Sequence, residues 1–568
     1  MKENCISLNG QLGLFCVNSR GIYISVSENG FSSIYGISHA GRNKHLIKKC
    51  KGKICSIVAD EDNVYYCLSK NNSNYYYKGH RLSLDTESDY LIDLDEEDYI
   101  NEYIVSASSY GIYYTTNKFY VDNNSIVYRD KEGSSKILKT GRDGLLIFLD
   151  YSPDGQGYCY GNIHSNTQSD IYCWDPKSGE IQINDSSIKS VNFDAKYLND
   201  HFLVYITNEA QNKQYLGGYD IRDKKKRVVY LSELGDIDAF YIDKKKNGIY
   251  IKIMHGVNDC LFFYDFEVGA KQISLPETTM VIDSMVVHDR DLYIVAENEE
   301  KKPSLYKKDI NGWEMVISFG DYKYGYNGRV VSLLTCQYWP MEMMLYETSK
   351  IKKGCVLWLH GGPNAAIRCV YNQLFTFFLK NGFDIIAPNY AGSSCYGKEY
   401  RELLSTKGEK ACDLIVEQCK GAISWYNDNI KNEKDEIVVC GESFGGYISF
   451  CIAKEEISNI KHCINLFGPV CLHDAVCSIP GYMREIMKKS FMIQQEYKDN
   501  SLIEQLKELK EVKLLLIFGE DDVYKSSDEK SIGNLEILNI KDCGHGCDSA
   551  DDYYLITDSI KKHLNDLF

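Results

Sequence analysis

The chain has 568 residues with a 44% hydrophobic fraction, too long for one core, which implies two or more globular domains. A formal net charge of −16 argues against sequence-independent nucleic-acid binding, and no apolar run of about eighteen residues offers a membrane span. Met1-Lys2-Glu3-Asn4-Cys5 lacks the basic-then-apolar order of a secretory signal, and the 21 cysteines follow no disulfide-framework spacing, so a reducing, cytoplasmic setting is expected.

From the N-terminus a short β-type motif ending in tyrosine recurs at Tyr23, Tyr65, Tyr113, Tyr158, Tyr205, Tyr250 and Tyr293, at intervals of 42 to 48 residues. A second signal runs in phase with it. Aromatic-rich strands end at Asp175, Asp220 and Asp265, and Leu305-Tyr306 leads to Asp309, with spacings of 45, 45 and 44 residues. Short alternating strands with turns such as Pro153-Asp154-Gly155 and Lys177-Ser178-Gly179, at a period near 45, predict propeller blades, and seven motifs predict seven of them. One four-stranded blade cannot bury both faces alone, whereas blades packed around an axis cover one another. A stack of β-sandwiches would not keep a fixed register. The basic runs Lys48-Lys49-Cys50-Lys51 and Lys224-Lys225-Lys226-Arg227 are expected at solvated hairpin ends, and the acidic stretch Asp93–Asp98 as a solvated loop.

The repeat stops around 321–328, and residues 1–326 are expected to form the propeller and 327–568 a second domain. There, apolar runs at Val356–Leu359, Phe383–Ala387, Ile437–Cys440, Cys463–Phe467, Leu514–Phe518 and Leu535–Ile540 alternate with helix-length segments. That order predicts a doubly wound, mostly parallel sheet with functional groups at the carboxyl ends of its strands. Cys355, Cys440 and Cys463 fall inside these runs as small buried hydrophobes.

Each chemical motif lies at such a strand end. His360-Gly361-Gly362-Pro363 closes the first, where glycines let a backbone N–H face a site. Gly441-Glu442-Ser443-Phe444-Gly445-Gly446-Tyr447 lies between an apolar strand and a helix expected at Ile448–Lys454. That is the arrangement of a nucleophile elbow, with Ser443 as nucleophile and the amide of Phe444, together with a backbone N–H of the His360–Pro363 turn, as an oxyanion hole. Gly519-Glu520-Asp521-Asp522 ends the penultimate strand, and Asp522, three residues past the glycine, is the expected acid, ahead of Asp521. His545 follows the last strand, and Ser443, Asp522, His545 is the chain order of α/β-hydrolases. Cys543-Gly544-His545-Gly546-Cys547 has no second ligand pair nearby, so neither metal nor cofactor is expected.

A propeller followed by an α/β-hydrolase resembles the prolyl oligopeptidase family of serine peptidases. His360–Pro363, Asn389-Tyr390-Ala391-Gly392-Ser393-Ser394-Cys395-Tyr396-Gly397, Gly441–Tyr447 and Gly544-His545-Gly546 look most like its acylaminoacyl-peptidase-like branch. By that resemblance Ser443, Asp522 and His545 are the triad and Gly362 and Phe444 supply oxyanion amides. Ala391 and Cys395 stand where the family usually has Arg and Gly, and the 23 residues from Asp522 to His545 are fewer than is usual there. Leu472–Asn500, the expected roof of the pocket, matches no readable pattern.

These residues predict attack by Ser443 on a carbonyl, with His545 as base and Asp522 holding the imidazole, through an acyl-enzyme that water releases. The triad does not distinguish a peptide from an ester. The resemblance implies a propeller that limits access, and so short or unstructured peptide substrates, for a general oligopeptidase or for an enzyme that removes a leader or opens an isopeptide bond. A carboxylesterase and a non-catalytic propeller scaffold are the alternatives. The sequence carries no signal of oligomeric state.

Overall fold

The computed structural model describes residues 6–568 apart from 8–10, 40, 42, 70–75, 93–100, 121, 142, 323–324, 327, 336–338, 408–409, 431–435, 456, 492–500, 510, 526–533 and 547–548. Asp93–Asp98 and Cys547 lie outside the described residues. By its contacts the chain divides into two units. Met1–Asp321 and Pro480–Met487 form one, and Tyr322–Ile479 and Lys488–Phe568 form the other.

The first unit holds a seven-bladed β-propeller. Its blades are four-stranded antiparallel sheets at 11–51, 54–91, 102–140, 145–182, 192–230, 236–273 and 281–318. Ile6–Ser7 adds a fifth strand to the last blade, parallel to Gly312–Ser318. All seven repeated tyrosines fall on the second strand of their blade, from Tyr23 on Ile22–Glu28 to Tyr293 on Asp291–Glu297. A second strand has paired neighbours on both sides and packed blades over both faces, so six of these tyrosines are buried and Tyr158 is half-buried.

The apolar clusters explain why one blade cannot stand alone, because each is shared by two successive blades. Tyr23 and Ile34 of the first pack with Ile57 and Val64 of the second. Tyr65 and Cys67 meet Ile104 and Ile112, Tyr113 meets Phe148, and Cys159 meets Leu203. Val204 meets Ile249, and Tyr250 meets Leu292. Leu12, Ile22 and Ile24 of the first blade close the ring against Tyr293, Val295 and Leu305 of the seventh.

The in-phase aspartates end third strands and build the turns into the fourth. Asp175 Oδ1 accepts the N–H groups of Lys177 (3.0 Å) and Ser178 (2.8 Å). Asp265 does the same for Glu267 and Val268, and Asp309 for Asn311 and Gly312. Their period is therefore the period of one side-chain-closed turn per blade. Of the basic runs, Lys224–Arg227 lies at a hairpin end as expected, Lys225 pairing with Asp220 across the turn, whereas Lys48–Lys51 lies along a strand. Lys48–Lys51 belongs to the fourth strand Lys44–Lys51, and Lys225, Lys226 and Arg227 open the fourth strand Lys225–Tyr230. In both of these blades the fourth strand is an edge of its sheet, where charge discourages further pairing.

The second unit is an α/β-hydrolase. Its strands are β1 (Arg329–Thr335), β2 (Trp339–Tyr346), β3 (Gly354–Leu359), β4 (Phe383–Pro388), β5 (Glu436–Glu442), β6 (Ile460–Leu466), β7 (Lys513–Gly519) and β8 (Leu535–Ile540). Its helices are α1 (Gln373–Lys380), α2 (Lys398–Lys407), α3 (Lys410–Asn429), α4 (Phe444–Ala453), α5 (Leu472–Ser478), α7 (Ser501–Glu508) and α8 (Ala550–His563), while α6 (Gly481–Phe491) begins in the stretch that groups with the first unit and ends in the second. Sheet order is β1-β2-β4-β3-β5-β6-β7-β8, parallel from β4 to β8, with β1 and β2 antiparallel. β3 and β4 are buried throughout, and so is β5 from Ile437 to Gly441. This is why they read as unbroken apolar runs, whereas β1 and β2 were not expected. The segment expected as a roof contains α5 and α6. Among the described residues no helix is long and apolar enough to cross a membrane.

Candidate active site

The loops after β3, β5, β7 and β8 bring the predicted residues together. Ser443 sits between β5 and α4 with φ 54° and ψ −121°, a conformation that costs a non-glycine residue about 1–3 kcal/mol and persists only where its surroundings enforce it. Enforcement comes from the neighbouring glycines. A Cβ on Gly441 would stand 2.1 Å from the Gly445 carbonyl oxygen, and one on Gly445 would stand 2.2 Å from that of Leu359. The Ser443 N–H donates to the Leu466 carbonyl (2.8 Å). α4 opens at Phe444, earlier than the expected Ile448, so its N-terminus begins immediately after Ser443.

His545 meets both partners. Its Nδ1–H donates to Asp522 Oδ2 (2.9 Å), which leaves Nε2 to accept the Ser443 hydroxyl (2.9 Å). The Asp522 side chain is fully buried, and its Oδ1 accepts the Tyr524 N–H (3.0 Å). Asp521 is exposed, and its N–H donates to the Cys543 carbonyl (2.9 Å). A Cβ on Gly519 would lie 2.1 Å from the Gly544 carbonyl oxygen, so the end of β7 and the histidine loop are in direct backbone contact. That contact brings Asp522 to His545 across a short connection. Two rings meet the imidazole at steep angles: Tyr524 with centroids 4.8 Å apart and Phe467 with centroids 6.3 Å apart. Neither was marked by any motif. Phe467 is buried at φ 57°, its N–H donating to the Ile517 carbonyl (2.7 Å).

The loop after β3 turns over Ser443, since a Cβ on Gly361 would come within 3.2 Å of Ser443 Cβ. His360 shapes this loop. Its ring is stacked on Tyr390 with centroids 4.1 Å apart, and Nε2 lies 2.8 Å from the Ser393 hydroxyl. Burial pushes its pKa down to about 4, so at neutral pH the ring is uncharged, and Nδ1–H donates to the Gly361 carbonyl (2.7 Å). In a planar trans peptide the C=O of Gly361 and the N–H of Gly362 point opposite ways, so holding one aims the other. The imidazole thereby sets the direction of the Gly362 amide. Gly362 has φ 121°, as a side-chain-free position allows. The loop after β4 is closely held as well: the Ala391 N–H donates to Gln418 Oε1 (2.7 Å), and Cys395 takes φ 76°.

Cys543 is buried with its Sγ 3.0 Å from the Gly546 carbonyl, and His545 is engaged at both nitrogens. Among the described residues no group of three or more His, Cys, Asp or Glu is placed to hold a metal ion.

Residues 370–527 match the model of the prolyl oligopeptidase family, a span that includes Ser443 and Asp522. Curated relatives align over shorter stretches. Dipeptidyl aminopeptidase BIII of Pseudoxanthomonas mexicana is 24% identical over 129 residues, 22% of this chain and 18% of the relative. Acylamino-acid-releasing enzyme 2 of Oryza sativa subsp. japonica is 29% identical over 97 residues, 17% and 12% of the two chains. The aligned stretches thus span less than a fifth of these relatives. Solved structures align over nearly the whole length. A Mycobacterium tuberculosis puromycin-hydrolyzing peptidase superposes with TM-score 0.81 at 13% identity over 98% of this chain and 94% of that one. Pyrococcus horikoshii acylaminoacyl peptidase superposes with TM-score 0.70 at 12% identity over 97% and 95%. These likenesses establish the shared propeller–hydrolase fold.

Proposed function

We propose that the protein is a serine peptidase working through Ser443, His545 and Asp522, a reading supported by the match of residues 370–527 to the prolyl oligopeptidase family. The observation that carries the reading is the hydrogen-bonded line from Asp522 Oδ2 through the imidazole to Ser443 Oγ, with 2.9 Å at each step. As Ser443 attacks the scissile carbonyl, His545 Nε2 takes its proton, and Asp522 steadies the imidazolium that forms. The amides of Phe444 and Gly362 receive the oxyanion, each donor being worth about 10²–10³ in rate. The tetrahedral intermediate collapses with proton transfer from His545 to the leaving amine. Water then repeats the sequence on the acyl-enzyme and frees Ser443.

The substrate is a short or unstructured peptide, and the propeller restricts size. A hydrolase of small esters would have no need of a propeller. The protein is tested with a fluorophosphonate, with peptide amides against p-nitrophenyl esters, and with a peptide presented free and inside a stably folded host. Labelling that Ser443→Ala abolishes, with cleavage of free peptides, is expected, together with a kcat loss of order 10⁶ in that variant. Ester turnover without amide cleavage would overturn the peptidase reading, and digestion of the folded host while it stays native would overturn the size limit. Cleavage of many sequences in a peptide library marks a general oligopeptidase, and cleavage at one leader or isopeptide bond marks a maturation enzyme.

A further inference from the structure

Glu442 stands directly before Ser443 at the end of β5. It is exposed, although Ile437 to Gly441 before it are buried. Among the described residues no hydrogen bond or ion pair reaches its carboxylate. Solvent touches the side chain, yet enough protein surrounds it that desolvation raises its pKa, with the charge of His545 opposing that rise.

An unpaired carboxylate here is a cost to the reaction proposed above. Glu442 directly precedes Ser443, with Cα atoms about 3.8 Å apart, and its carboxylate interacts electrostatically with His545. Negative charge beside a developing oxyanion raises the barrier, and crowding by protein enlarges that effect over its value in water. Asp522 already provides the counter-charge of the imidazolium, so that role does not call for a second carboxylate. A positive charge carried by the substrate would remove the penalty and gain a charge-assisted hydrogen bond.

We propose that Glu442 is a specificity-determining residue that receives a cationic group of the substrate, an α-ammonium or a Lys or Arg side chain, beside the scissile bond. The inference rests on the serine-peptidase reading of Ser443. It deepens that reading by assigning the substrate a charge.

The experiment compares three peptide arylamides on the full-length protein and its Glu442→Gln variant. One has a free α-amine and neutral side chains, the second is its N-acetylated form, and the third is N-acetylated with Lys next to the scissile bond. The wild type is expected to favour at least one cationic substrate over the neutral one by roughly tenfold or more in kcat/KM, mainly through KM. In Glu442→Gln that preference is expected to collapse to about threefold or less, and the arm that collapses identifies the cation. Glu442→Ala should behave alike, and it serves if the glutamine variant does not fold. Equal preference in variant and wild type, or a wild type that favours the neutral substrate, overturns the proposal. Fluorophosphonate labelling separates the two levels: labelled protein with unchanged selectivity sinks this inference alone, whereas unlabelled wild type sinks the serine-peptidase reading beneath it.

Discussion

The two units carry their determinants differently. In the propeller seven clusters of similar make-up are each split between neighbouring blades, so every blade depends on the next and none is unique. In the hydrolase the decisive contacts are single and close: Gly445 against Leu359, Gly519 against Gly544, His360 against Gly361. Repetition spreads stability over many replaceable contacts, whereas convergence of loop ends concentrates chemistry in a few that tolerate no added atom. Damage to the first should appear as lost stability, and damage to the second as lost rate.

The sharpest form of this contrast is between adjacent residues. Asp522→Asn should lower kcat by about 10⁴ by leaving the imidazole in the wrong tautomer, while Asp521→Asn, at an exposed residue, should cost far less. Steady-state kinetics on the pair decides it, and the reverse order would break the assignment. In the propeller, Tyr205→Ala removes a nearly fully buried ring and should cost about 3–5 kcal/mol in denaturant unfolding, with kcat per folded molecule hardly changed. A large kcat loss without loss of stability would erase the distinction between the units.

His360→Ala tests the convergent side without touching Ser443, His545 or Asp522. Freed from the imidazole, the Gly361–Gly362 peptide should wander, costing up to about 10²–10³ in kcat with KM little changed. A purely structural role would instead lower stability and leave the kcat of the folded fraction intact.

Acidity should separate the units by a smaller margin. Burial holds His360 near 4 and His563 near 3, below an unfolded value of about 6.5. The unfolded chain therefore takes up protons first as pH falls, and the stability these groups provide above pH 6.5 declines from there towards pH 4, by roughly 3 kcal/mol for His360. In the propeller Glu297, raised to about 9 by burial and by Asp283 beside it, acts in the opposite sense. Its contribution is complete below about pH 4.5 and is lost as pH rises towards 9. Hydrogen exchange at pH 5 and pH 8 should show hydrolase amides opening more readily in acid and blade-seven amides more readily in base. Parallel behaviour of both would refute the linkage.

Much of this architecture was legible because it rests on local or periodic rules. The tyrosine period reports the second strand of each blade, and the aspartate period reports a turn closed by its own side chain, which neighbouring residues alone determine. The elbow, the glycine turn after β3 and the positions of Asp522 and His545 were legible as strand-end motifs for the same reason. β1 and β2 lay outside that reading, and so did the placement of the lysine runs on edge strands, because pairing partners and edges are properties of the assembled sheet. It is tertiary structure that turns the Asp522 carboxylate inward to His545. It alone brought Phe467 and Tyr524 to the imidazole, and it tied His360 to Ser393 across 33 residues. Such contacts arise where loop ends from distant strands meet, and no spacing along the chain encodes a distance that only the packed sheet creates.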